Sequence, residues 1–77
     1  MKVEAIIKET FRLNPETEIL GVHRPGQLEG WDSLGHVSLM AALEAAYHIS
    51  LGVDEIMRIT CVDDIKAILK EKGVREF

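Results

Sequence analysis

The segment Gly30-Trp31-Asp32-Ser33-Leu34-Gly35-His36-Val37 holds the side chains best placed to do chemistry. It puts a serine at the expected start of a helix, just after a glycine-containing loop. The first turn of a helix leaves backbone N–H groups unpaired, and the helix dipole adds partial positive charge there. A phosphodiester on Ser33 would be favourably placed at such an end. A plainer role is also open, because Ser33 or Asp32 could simply cap the helix. Ser33 and His36 are close enough in sequence to meet across one helical turn. A serine–histidine hydrolase pair would also need an orienting acid, an oxyanion hole and a pocket. The sequence offers no clear candidate for the last two. His23, His36, His48 and Cys61 match no compact metal-ligand spacing. No catalytic residue and no metal ligand is therefore expected.

The elements that must position this segment follow from hydrophobic periodicity. Val3, Ile6, Ile7 and Phe11 fall at helical spacing and predict an amphipathic first helix, ended by Asn14-Pro15. Residues 14 to 32 contain Pro15, Gly21, Pro25, Gly26 and Gly30, so no long element fits there. Ile19, Leu20, Val22 and Leu28 could fold down and make this a packed loop, and Trp31 could anchor it. A second helix is predicted from Ser33 to Tyr47. Leu39, Met40, Leu43 and Tyr47 share its core face, flanked by Val37 and Ala46. Gly35, Ser38, Ala42 and Ala45 form a small-residue face that would let another protein approach closely. A short helical turn is predicted over about residues 54 to 59. Thr60 then opens a last helix, with Thr60-x-x-Asp63 resembling a capping box. Val62, Ile65, Ile68 and Leu69 form its apolar face. Lys70 and Lys72 suit its C-terminal end, Gly73 is a natural C-cap, and Cys61 reads as a small buried residue before it. The predicted fold is all-α: a small four-helix bundle with three main helices, one short helix and a long first loop.

Bulk properties restrict what such a bundle can do. A chain of 77 residues is one domain, 1–77, with little room for both a core and a deep substrate pocket. That argues against a self-contained enzyme. Hydrophobic residues make up 47% and charged residues 29%, ordinary for a soluble globular domain. The net charge of −4 disfavours nucleic acid and anionic membranes and suits partners with basic patches. The second helix contains no Lys or Arg, which removes a phosphate-gripping face and with it a helical DNA-binding reading. The N-terminal Met1-Lys2-Val3-Glu4 lacks the apolar stretch of a signal peptide, and no segment approaches the roughly 20 apolar residues of a membrane span. A cytoplasmic monomer is expected.

Asp32-Ser33-Leu34, placed near mid-chain before an amphipathic helix, resembles the phosphopantetheine attachment motif of acyl carrier proteins. Leu43-Glu44 and Tyr47 resemble the family's Leu-Glu followed by an aromatic. Ile59-Thr60-Cys61-Val62 resembles its turn into the last helix. The resemblance covers essentially the whole chain. It implies that Ser33 receives 4'-phosphopantetheine from coenzyme A through a separate Mg²⁺-dependent phosphopantetheinyl transferase. Asp32 would help that enzyme dock. Leu34, Ala41 and Glu44 on the exposed side of the second helix would contact acyl-loading and acyl-transferring enzymes. The protein would then be a phosphoprotein that holds acyl groups as thioesters for fatty acid or polyketide biosynthesis, without being an enzyme itself.

The chain also departs from that pattern. Carriers of primary fatty-acid synthesis usually have a strongly acidic second helix, whereas here Glu44 is its only acidic residue after Asp32. Recognition should then rest on close apolar contact more than on charge. Trp31-Asp32-Ser33-Leu34-Gly35-His36 is more similar to stand-alone carriers of specialised pathways. An aminoacyl carrier and an unmodified carrier-like scaffold are the alternatives. Leu39, Met40, Leu43 and Ile59 are expected to line an interior that could shelter cargo.

Overall fold

The computed structural model describes residues 2–77. Its helices are α1 (Val3–Phe11), α2 (Ser33–Tyr47), α3 (Val53–Arg58) and α4 (Val62–Glu71). No strand occurs among the described residues, only an isolated bridge between Pro25 and Leu28. The all-α bundle of three main helices and one short helix is the predicted architecture.

The core draws one stripe from each long helix. Val3, Ile6 and Ile7 of α1, Leu39, Met40 and Leu43 of α2, and Val62, Ile65, Ile68 and Leu69 of α4 are all buried. Leu28 and Trp31 from the first loop, with Leu51 and Ile59 from the connectors on either side of α3, complete it. Burying each such aliphatic side chain contributes about 1.5–3 kcal/mol of transfer free energy. The expected interior set of Leu39, Met40, Leu43 and Ile59 is thus present. No buried side-chain N or O atom lacks a hydrogen-bond partner among the described residues.

The helix ends differ from expectation in instructive ways. α1 stops at Phe11, before Asn14-Pro15, because Arg12 takes a left-handed conformation (φ 53°). The Arg12 N–H donates to the Glu9 carbonyl and the Leu13 N–H to the Lys8 carbonyl, closing the helix. Asn14 instead organises the next turn, its Oδ1 accepting the Glu16 N–H at 2.9 Å. The Thr60–Asp63 capping box does not form. Thr60 donates from its backbone N–H and its hydroxyl to Asp64 Oδ2, and Cys61 is the N-cap residue of α4, half-exposed and not fully buried. The first N–H groups of α4 are satisfied by the first loop: Val62 N–H donates to the His23 carbonyl (3.0 Å) and Asp63 N–H to the Gly21 carbonyl (2.8 Å). Gly21 leaves room for the Asp63 carboxylate, which would collide with any Cβ there. At the other end, Gly73 (φ 87°) donates to the Lys70 carbonyl and Val74 to the Leu69 carbonyl, as expected of a glycine-terminated helix.

The first loop is packed, but by fewer residues than predicted. Leu28 and Trp31 are buried and Ile19 is half-buried, whereas Leu20 and Val22 are exposed. This stretch reaches α4 through the backbone carbonyls of Gly21 and His23 and not through the Leu20 and Val22 side chains. On α2, Val37 and Ala46 are also exposed and do not flank the core.

The small-residue face of α2 is the largest correction. It serves the inside of the molecule at two of its four positions. The Gly30 carbonyl and the Phe11 ring press on Gly35, where a Cβ would overlap the Gly30 oxygen. Ala42 packs against the core, and α1 lies against this side of α2. Ser38 and Ala45 remain exposed. Glycine and alanine therefore allow close approach of the chain's own loop and first helix.

Candidate functional site

Three elements converge at the N-terminus of α2: the end of the first loop, the first turn of α2 and the short helix α3. Asp32 is the N-cap, in extended backbone, and its Oδ1 accepts the Gly35 N–H at 2.7 Å. The Asp32 carbonyl accepts the His36 N–H at 2.8 Å. Ser33 is the first residue of α2 and is exposed. Because Asp32 supplies the capping acceptor, the Ser33 hydroxyl is not consumed by the helix, and it bonds to no described residue.

Trp31 fixes the approach to this turn. Its side chain is 1% exposed, its N–H donates to the Leu28 carbonyl, and its carbonyl accepts the Gly26 N–H at 2.7 Å. Phe11 lies against it with ring centroids 6.2 Å apart. A buried indole N–H needs an acceptor, and His36 Nδ1 provides one at 3.0 Å, the two rings lying edge to edge with their planes 12° apart. His36 Nε2 lies 3.1 Å from the Ile56 carbonyl of α3. Both imidazole nitrogens are thus occupied away from Ser33, so no Ser33–His36 dyad is assembled.

Beside Ser33 lies an open groove of about 580 Å³ between the first loop and α3. Pro25 and Gly26 form one side, Ile56, Met57 and Ile59 the other, and Trp31 and His36 lie between them. Its walls are mainly apolar. Among the described residues, no cluster of three or more His, Cys, Asp or Glu side chains could hold a metal ion.

Of the residues singled out in the sequence, Asp32, Ser33 and Leu34 come together in one turn, with Leu34 81% exposed. Ala41 is exposed two turns further along α2. Glu44 is half-exposed and internally engaged, its Oε2 accepting the Leu51 N–H at 2.8 Å and so holding the connector to α3. The exposed side of α2, through Leu34, Val37, Ser38, Ala41 and Ala45, bears no charge. The Trp31–His36–Ile56 connection was not foreseen. The need of a buried indole for an acceptor, with one histidine close behind it, was the available signal.

The site also has what a serine-linked phosphodiester requires. The hydroxyl is exposed and unbonded, the Ser33 and Leu34 N–H groups of the first turn are unpaired, and the carboxylate of the preceding residue, Asp32, is held at Gly35. A family model described as a phosphopantetheine attachment site matches residues 2–69 of the chain. Domains of that kind are generally non-catalytic carriers. A search of curated proteins finds no match to the chain. No helix of the described residues is long and apolar enough to cross a membrane.

Proposed function

Because the chain belongs to the phosphopantetheine attachment family, whose cofactor is covalently bound 4'-phosphopantetheine, we propose that Ser33 is the attachment residue and that the protein is an acyl carrier of a specialised biosynthetic pathway. The observation that carries this reading is the division of labour between Asp32 and Ser33: the aspartate caps α2 and leaves the serine hydroxyl exposed at the helix's positive end. The attached arm supplies a terminal thiol that holds acyl groups as thioesters.

The chain's own residues do the presenting. Trp31 anchors the loop so that Ser33 stands at a fixed place on α2. The unpaired first-turn N–H groups would favour the negative charge of a phosphodiester on Ser33. Asp32 offers a carboxylate to the phosphopantetheinyl transferase. Leu34 and Ala41 give the acyl-loading and acyl-transferring enzymes an uncharged surface, and Glu44 supports that surface by holding the connector to α3. Tethering raises the effective concentration of the acyl group at each docked partner without any added affinity. A monomer acting in the cytoplasm suits a carrier that must meet several enzymes in turn.

The test is intact-mass spectrometry after incubation with coenzyme A, Mg²⁺ and a broad-specificity phosphopantetheinyl transferase. One phosphopantetheinyl addition to the wild-type chain, absent from Ser33→Ala, is expected. No addition to the folded chain across several transferases would reduce Ser33 to an ordinary first-turn residue.

A further inference from the structure

α3 is the most weakly held helix of the bundle. It is six residues long and contributes no fully buried side chain, Ile56 being half-buried. Of its ion pairs to the end of α4, Arg58–Glu71 at 3.9 Å is exposed and contributes little, and Glu55–Lys72 at 2.8 Å is only partly sheltered. α3 nevertheless forms one wall of the groove beside Ser33. What joins it to the opposite side is His36.

The hydrogen-bond chemistry fixes the state of that imidazole. An indole N–H only donates and a backbone carbonyl only accepts. With Trp31 Nε1 at 3.0 Å from His36 Nδ1, and the Ile56 carbonyl at 3.1 Å from Nε2, Nδ1 must be bare and Nε2 must carry the hydrogen. The same ring therefore accepts from the loop side of the groove and donates to the α3 side.

We propose that His36, as the neutral Nε2–H tautomer, is a clasp that joins the first loop to α3 across the start of α2 and thereby sets the width of the groove beside Ser33. It is a positioning residue, because it acts through Trp31 and Ile56. Its consequence for a carrier rests on the function proposed above: a closed clasp keeps the groove walls together and limits how much of a chain hanging from Ser33 can lie against Met57 and Ile59. The clasp itself exists in the unmodified protein, so its test is independent of whether Ser33 is ever loaded.

Three substitutions separate its two halves. His36→Phe keeps a ring beside Trp31 and loses both hydrogen bonds. His36→Asn places an acceptor near the Nδ1 position and gives up the reach to Ile56. His36→Gln places a donor near the Nε2 position and restores that reach. The readout is methyl relaxation dispersion on the unmodified protein, with Ile56 and Ile59 as reporters of α3 and Ile6 and Leu69 as reporters of the rest of the core. Losing the hydrogen bond to the Ile56 carbonyl, which both variants lack, should raise the population of an α3-detached state roughly 3- to 10-fold in His36→Phe and His36→Asn. His36→Gln should stay near wild type, and Ile6 and Leu69 should be quiet in all four proteins. Long-range proton–nitrogen spectra of the wild type should show a pyrrole-like Nε2 and a pyridine-like Nδ1. The proposal is overturned by an Nδ1–H tautomer, by unchanged Ile56 and Ile59 exchange in His36→Phe, or by exchange that rises equally at Ile6 and Leu69.

Discussion

Asp32 Oδ1 accepts the Gly35 N–H at 2.7 Å, and this bond takes the capping of α2 away from Ser33. Asp32→Ala should lower stability by about 1 kcal/mol, the ordinary loss of an N-cap. Asp32→Asn keeps a capping oxygen and removes the charge. It should leave the urea midpoint nearly unchanged while slowing modification of Ser33. Equal stability losses in both variants would show that Asp32 acts through its charge on the helix dipole and not as a cap.

Gly35→Ala offers a sign test. At an open position of a helix interior this change would stabilise by about 1 kcal/mol. Here the new methyl overlaps the Gly30 carbonyl and meets the Phe11 ring. The loop must shift, and destabilisation of roughly 1–3 kcal/mol is expected from such overpacking. Chemical denaturation checks it, with near-ultraviolet dichroism reporting the disturbance at Trp31.

The uncharged face of α2 predicts how partners respond to salt. Leu34→Ala should leave folding unchanged, since the side chain is 81% exposed, and should lower kcat/KM of a loading enzyme roughly tenfold through lost apolar contact. Raising the ionic strength should change that kcat/KM less than about twofold, because charge on this face contributes little to docking. A steep salt dependence would move the recognition surface elsewhere on the chain.

Stability should fall in acid through the start of α4. The Thr60 hydroxyl and N–H both donate to the Asp64 carboxylate and hold its pKa below the usual carboxylate value. A lowered folded pKa means the contribution is fully present above the unfolded value of about 4 and is lost as pH drops through the folded value. Glu55, lowered by the Lys72 ammonium and the Gly52 N–H, adds to the same limb. Asp64→Asn should lower the thermal midpoint in the neutral region and leave it nearly unchanged at the acid end, which flattens the acid limb.

Cargo sheltering is tested by the methyls of Leu39, Met40, Leu43 and Ile59, which are packed in the core. A long acyl chain that parts the helices should shift these resonances on loading, relative to the unloaded arm. Unchanged shifts would confine the chain to the outer groove.

Much of this architecture can be read from local chemistry. α2 runs from Ser33 to Tyr47 as its periodicity and its Asp-Ser start imply, and Gly73 ends α4 because a left-handed residue is needed there. What escaped depends on partners distant in sequence. Thr60 and Asp63 look like a capping pair, yet the loop carbonyls of Gly21 and His23 take that role and Asp64 takes the hydroxyl. Gly35 and Ala42 look like an open face because sequence periodicity cannot say which neighbour covers a helix. The exposed Ser33 was legible from its motif, whereas the link from Trp31 through His36 to α3 ends on a backbone carbonyl, which no residue type announces.

The two loop carbonyls that serve α4 also bear on how the chain becomes ordered. The first N–H groups of any helix lack partners within it, and short isolated helices are marginal in water, so acceptors from a segment far upstream steady the opening turn of α4. These two bonds couple the ordering of α4 to that of the Gly21–His23 stretch, despite the length of chain between them. A single nick in the exposed part of the loop would therefore weaken α4 at a distance, by loosening the hold of the Gly21 and His23 carbonyls on its first turn.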